Sequence, residues 1–244
     1  MLGQKIHKLP KLKNPIMIAA LPDMGNVAGI GMDFLVKKLK AKLFAEIYAF
    51  WPPAVSYENG IIKYEQSSYK FHFRQKENLV FFSGEFNPSD PRRLYELCYQ
   101  VVDMAKKLKV NTLYSIGAAL RQPSPAEPKL FGATTNPKLL AVLRKEKLEL
   151  LQGNSQITGF NGLILGIAKE KKLDSVCILG EIDNPNVIQP KAAEMILAAL
   201  LRILKLEPLD MKELEEEEKR KKFMEQQMNY MDGLARKDNQ AGIA

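Results

Sequence analysis

The chain has 244 residues, 46% of them hydrophobic and 26% charged, with a formal net charge of +8. This composition excludes a disordered or collagen-like chain, and the length allows one α/β domain whose core needs no disulfide or metal support. No apolar run approaches the ~20 residues of a membrane-spanning helix, and residues 1–13 form a basic leader without the apolar centre of a signal peptide.

The charge is unevenly placed. From residue 211 onward there are seven Lys/Arg and eight Asp/Glu, so the body carries +9. Such an excess attracts nucleic acid or acidic surfaces. The lysines, however, read as solvated helix faces (Lys37, Lys38, Lys40, Lys42; Lys106, Lys107, Lys109), and no base-reading motif accompanies them. Specific nucleic-acid binding is therefore not expected. Cys98 and Cys177, 79 positions apart in apolar surroundings, read as buried thiols of a reducing, cytoplasmic compartment.

In chain order, Ile16–Leu21 is a continuous apolar run, the mark of a strand buried on both faces. Asn26–Leu39 has helical periodicity, and Leu43–Phe50 reads as a strand, completing a βαβ unit. Glu58-Asn59-Gly60 is a turn signal, and Ile61–Tyr64 with Tyr69–Phe73 reads as a hairpin that places His72 on its outward side. Leu79–Ser83 is a buried strand. A helix from Pro91 to about Lys109 takes Ser89 or Asp90 as its N-cap. Strands are predicted at Asn111–Ile116, Leu130–Thr135, Leu148–Leu151 and Ser175–Leu179. Helices are predicted after Asn136-Pro137, over Gly162–Lys171, and from Pro190 to about Leu204. Strands alternating with helices imply a mostly parallel or mixed sheet with helices on both faces.

Residues 205–210 read as a linker to a helical extension. There Glu215–Glu218 each precede a cation by four residues, pairs that supply roughly 1–2 kcal/mol in all. Leu214, Lys221, Met224, Met228, Met231 and Ala235 make a narrow stripe along it, Tyr230 lies nearby, and the last residues read as frayed.

Glycines at two strand-to-helix turns are the main candidates for ligand chemistry. The first set is Gly25, Gly29 and Gly31, the second Gly159, Gly162 and Gly166. Neither has the GxGxxG dinucleotide spacing or the GxxxxGK phosphate loop. Close helix packing is the first reading, and Gly162 with Gly166 would let their helix lie close to a neighbour. The second reading is a pair of backbone anion-binding turns at Gly25, Asn26, Gly29 and at Gly159, Asn161, Gly162. Asp23, Glu85 and Glu181 each follow a strand and could gather at one sheet edge, or cap helices. His7 and His72 have no partner at metal spacing, and no serine sits in a GxSxG elbow. No catalytic residue, metal site or cofactor is expected.

Several stretches occur together in order: "LPDMGNVAGIGMDFLVKKLKAKLFAEI", "FWPPAVSYENGIIKY", "LYSIGAAL", "LFGATTNPKLL", "ITGFNGLILGIAKEKKLDSVCILGE" and "QPKAAEMILAALLRIL". Over residues 14–206 this set resembles the archaeal and bacterial relatives of the second proteasome assembly chaperone. The resemblance implies an α/β/α sandwich similar to nucleoside phosphorylases, homo-oligomers and no established catalytic site. Some members have carried an ATP-grasp label, which these residues do not support. Some archaeal members bind proteasome particles through C-terminal helices, and one is a proteasome activator.

The expectation is therefore a non-enzymatic homo-oligomer that contacts proteasome subunits or an unfolded client through its C-terminal helix, with Leu214, Met224, Met228, Tyr230 and Met231 as contacts. Its divisions are a leader at 1–13, the α/β/α domain at 14–206 and the extension at 207–244. Gate-opening tails often end hydrophobic-Tyr-any residue, whereas this chain ends Gly242-Ile243-Ala244. The alternative is a phosphate- or nucleoside-binding protein, or an enzyme, using the glycine turns.

Overall fold

The computed structural model describes residues 3–49, 54–64, 66–121 and 128–241, with side chains to residue 227. A nine-stranded mixed sheet runs through the body in the order β1-β3-β6-β7-β2-β8-β11-β9-β10. Its strands are β1 (Gln4–Ile6), β2 (Ile16–Ala19), β3 (Lys42–Tyr48), β6 (Ser68–Arg74), β7 (Leu79–Ser83), β8 (Thr112–Leu120), β9 (Leu130–Thr134), β10 (Glu149–Leu150) and β11 (Asp174–Ile182). The central four, β7, β2, β8 and β11, are parallel. The helices are α1 (Val27–Lys38), α2 (Pro91–Lys107), α3 (Leu140–Lys145), α4 (Gly159–Glu170), α5 (Pro190–Ile203) and α6 (Lys212–Ala241).

Two cores follow from the pleat, because successive side chains of a strand point to opposite faces. Met17, Phe82 and Leu113 pack toward α2 and α4, with Val101 and Ile164. Their neighbours Ile18, Phe81 and Tyr114 pack toward α1 and α5, with Met32 and Leu197. This is the α/β/α sandwich expected from alternating strands and helices. Cys98 and Cys177 are buried free thiols.

Local chemistry sets the helix ends. Asp90 Oδ1 accepts the Arg92 N–H at 2.8 Å, and Pro91 opens the first turn of α2. Helices α1 to α5 each stop at a lysine in the left-handed region: Lys40, Lys109, Lys147, Lys172 and Lys205. The next residue donates back into the last turn, as Val110 N does to Ala105 O at 2.9 Å. This 6→1 closure usually employs glycine. Lys40 and Lys109 are therefore chain stops rather than members of a solvated helix face.

Other expectations change. The residues 56–64 fold as their own hairpin, β4 (Ser56–Glu58) with β5 (Ile61–Lys63), around Asn59-Gly60. β6 does not pair with β5; it lies between β3 and β7. His72 thus points from an internal strand, half-buried. Part of the basic leader, β1, adds an edge strand to β3. β8 runs through Gly117 to Leu120. Gly162 does meet close neighbours, but they are the backbone of Ile157 in the preceding turn, and Gly166 faces open space.

Phe82 sits centrally, 4.8 Å from the Phe71 ring and 5.3 Å from that of Phe160. It joins a strand pair to α4. Phe82→Ala is expected to cost about 3–5 kcal/mol of stability, read as a lower urea midpoint with an unchanged slope.

Candidate functional site

The carboxyl ends of β2, β7 and β8 meet where the following helices leave for opposite faces, the place where open α/β sheets bind ligands. Asp23 stands there, just beyond β2. Its Oδ1 accepts the Ala28 N–H at 2.8 Å, capping α1, and its Oδ2 accepts the Ala118 N–H of β8 at 2.6 Å. Burial pushes its carboxyl from 3.8 up to about 6, against the pull of these backbone N–H groups.

The glycine turns are filled from within. Gly25 has φ +62° and lies against the Gln189 side chain, leaving no room for a Cβ. Gly25 N donates to Pro185 O and Gln189 N donates to Gly25 O, both at 2.8 Å. Asn26 is left-handed, and its carboxamide covers Gly29. A phosphate brought to the start of α1 would meet the Asp23 carboxylate. At the second turn, Asn161 Oδ1 accepts from Leu21 N at 2.9 Å, while its Nδ2 donates to Leu21 O at 3.0 Å. The Phe160 N–H donates to Asn87 Oδ1 at 3.3 Å. Gly159 has φ +70° and Gly162 backs onto Ile157. Asn87 went unread in the sequence; its only signal there is a turn-like Asn-Pro pair.

Two cavities flank Asp23. One, of about 660 Å³, is lined by Asp33, Lys70, His72 and Glu85 besides Asp23 and Asn26. Burial first, and then Glu85, push the Asp33 carboxyl above its ordinary range, while Lys70 opposes them. Burial and then Lys70 hold His72 below its usual value. Its Nδ1 is buried without a hydrogen bond. The other cavity, of about 770 Å³, has an apolar share from Met24, Leu120, Leu151 and Phe160, with Asn161. Asp23 and Glu85 therefore meet at one cavity, whereas Glu181 turns away to accept the Lys129 N–H at 2.9 Å. Among the described residues no cluster of three His, Cys, Asp or Glu side chains could hold a metal.

The base of α6 is part of the body. Leu214 is buried in the core beneath α1 and α5. Glu213 pairs with Lys37 at 2.7 Å and Lys38 at 3.4 Å. Glu218 Oε2 accepts the Lys191 N–H at the start of α5, at 3.3 Å. The buried Lys221 Nζ donates to Gln189 Oε1 at 2.8 Å. Of the four pairs expected along the helix, Glu218–Lys222 forms, at 3.6 Å. One turn on, Phe223 and Met224 are exposed. The side chains of Met228, Tyr230 and Met231, and all of residues 242–244, lie outside the described residues.

A model of the PAC2 family matches residues 17–229, most of the chain. This chain belongs to the PAC2 family. It is 28% identical over 225 residues to an uncharacterized protein of Methanocaldococcus jannaschii, covering 91% of this chain and 85% of that one. Its fold is similar to that of Pyrococcus furiosus PbaB, an archaeal proteasome activator, with TM-score 0.79 and 24% identity over 94% of this chain and 98% of the other. It is also similar to Pyrococcus furiosus PbaA, an archaeal homolog of proteasome-assembly chaperone, with TM-score 0.78 and 21% identity over 98% and 96% of the two chains. The PAC2 match includes the anchored base of α6. Among the described residues of this PAC2 chain, no helix is long and apolar enough to cross a membrane.

The raised Asp23 carboxyl has a thermodynamic consequence. The folded state holds its proton more tightly than the unfolded chain does, so the stability gained from the neutral acid is full below about pH 4 and lost as pH rises through about 6. Unfolding free energies from urea titrations between pH 4 and 7 should decline in wild type by about 2–3 kcal/mol relative to Asp23→Asn, which lacks this titration.

Proposed function

We propose that this PAC2 protein is a non-enzymatic interaction protein of the cytoplasm, a homo-oligomer that contacts proteasome subunits or a client through α6. The observation that carries the reading is the division of that helix. Its first three turns are fastened to α1 and α5 by Leu214, Glu213, Glu218 and Lys221. From Lys222 the described side chains turn outward, and the helix continues to Ala241. At 1.5 Å per residue that is roughly 30 Å of helix presented from a fixed base. Exposed methionine adapts to varied apolar surfaces, and Phe223 adds a larger contact. Membership of the PAC2 family and the likeness to PbaA and PbaB point to the proteasome as the partner to test first.

The experiment is capture of purified proteasome core particles by the full chain and by a chain ended after Lys222. That truncation keeps Leu214 and Lys221, so the body stays intact. The full chain should retain the particles, and the shortened chain should lose at least tenfold in retention. Equal retention by both would end the role assigned to the helix.

A second reading, a binding protein for a small polar molecule, draws on the 660 Å³ cavity and the unbonded His72 Nδ1. Calorimetric titration with inorganic phosphate and with nucleosides separates the two. The interaction-protein reading expects no heat at millimolar ligand. Heat that vanishes in Glu85→Gln would favour the second.

A further inference from the structure

The β4–β5 hairpin has one uncovered apolar face. Its register sets Tyr57 opposite Ile62 and Glu58 opposite Ile61. Because side chains alternate across a strand, Tyr57 and Ile62 share one face, and Val55 and Tyr64 continue it at the open end. The other face carries Ser56, Glu58, Ile61 and Lys63, with Lys63 Nζ donating to Glu58 and Ser56 Oγ to the Lys63 carbonyl. This is the in–out pattern of a sheet with one buried side. Yet Val55, Tyr57, Ile62 and Tyr64 are 54%, 80%, 70% and 66% exposed. Among the described residues the hairpin pairs with no strand of the main sheet. A lone two-stranded hairpin is marginal in water and needs a layer against it.

We infer that the same face of a second copy of this chain covers it, two hairpins stacking face to face about a two-fold axis. Area and charge both favour this occupant. Four residues of this size and exposure present roughly 500 Å² per copy, so full coverage would amount to about 1,000 Å² for the pair, the lower limit of a specific interface. Two chains of net charge +8 repel each other, so contact between copies needs an uncharged patch. The four residues carry no charge, and the Glu58–Lys63 pair lies on the reverse. A partner steered by the basic body would be met through lysines, and this face has none. A two-fold contact also requires only one self-complementary patch.

This inference rests on the homo-oligomer part of the proposed function. The test is light scattering on the full chain with Tyr57→Glu together with Ile62→Glu, and with Ile61→Glu as the reverse-face control. The hairpin lies apart from both cores, so all variants should keep the wild-type far-UV circular dichroism spectrum. The double variant should lose half or more of the oligomer mass, and Ile61→Glu should lose none. In addition, Ile62→Cys should be linked to a second copy by a bismaleimide whose spacer spans about 10 Å, the distance between stacked sheets, while Ile61→Cys should not, the native Cys98 and Cys177 being buried. An oligomer unchanged by the double variant, or an unlinked Ile62→Cys, overturns the hairpin contact alone. A double variant of wild-type mass that no longer captures proteasome particles also overturns it, since the face would then serve another partner. A monomeric wild type overturns the contact and the homo-oligomer reading together.

Discussion

The end of β2 is tied to both helical layers by side chains rather than by the sheet. Asp23 spans the start of α1 and the β8 backbone, and Asn161 pairs both peptide groups of Leu21 from the start of α4. Asn87 adds a bond from the β7 side to Phe160 N. β2 lies near the middle of the sheet, so these bonds set where α1 and α4 begin and hence the walls of both cavities. They also consume helix-start N–H groups that an anion would otherwise use. Gly25 is required there by its positive φ and by the Gln189 side chain against it, while the Asn26 carboxamide lies over Gly29.

From that edge a chain of contacts leads to the tail. Gly25 exchanges backbone hydrogen bonds with the 185–189 loop, Gln189 accepts from Lys221, and Glu218 caps α5. The charges of the early tail are therefore partly spent on the body. Glu213 shows this most plainly, its carboxyl held below the usual range by Lys37 and then Lys38. The fastening gives the remaining helix a defined direction of departure. The body thus offers two projections of unlike chemistry, a charged helix and a hairpin with one uncharged apolar face, suited to different kinds of contact.

Much of the fold is legible from local signals. The continuous apolar runs at Ile16 and Leu79 are central strands because both of their faces are buried, and Asp90-Pro91 and Pro190 start helices because their backbone geometry suits a first turn. The strand pairings were less legible. Tyr69–Phe73 has the alternation of a hairpin arm, but alternation does not name a partner, and β3 and β7 took both edges of β6. The lysine helix stops were hidden too, since lysine has no special preference for the left-handed region. Leu214 reads as the first residue of a solvated stripe, and its burial depends on α1 and α5, which are remote in sequence.

By itself the sequence determined the element types, most helix starts, the absence of recognisable catalytic motifs and a charged helix after the domain. These rest on periodicity, capping and spacing, which act over a few residues. Only the tertiary structure decided which polar groups are free and which apolar faces are covered. Asp23 reaches Ala118 across 95 positions and Asn161 reaches Leu21 across 140. Whether a helix start is open to a ligand, or a hairpin face is left to a partner, depends on what the fold brings against it from that far away.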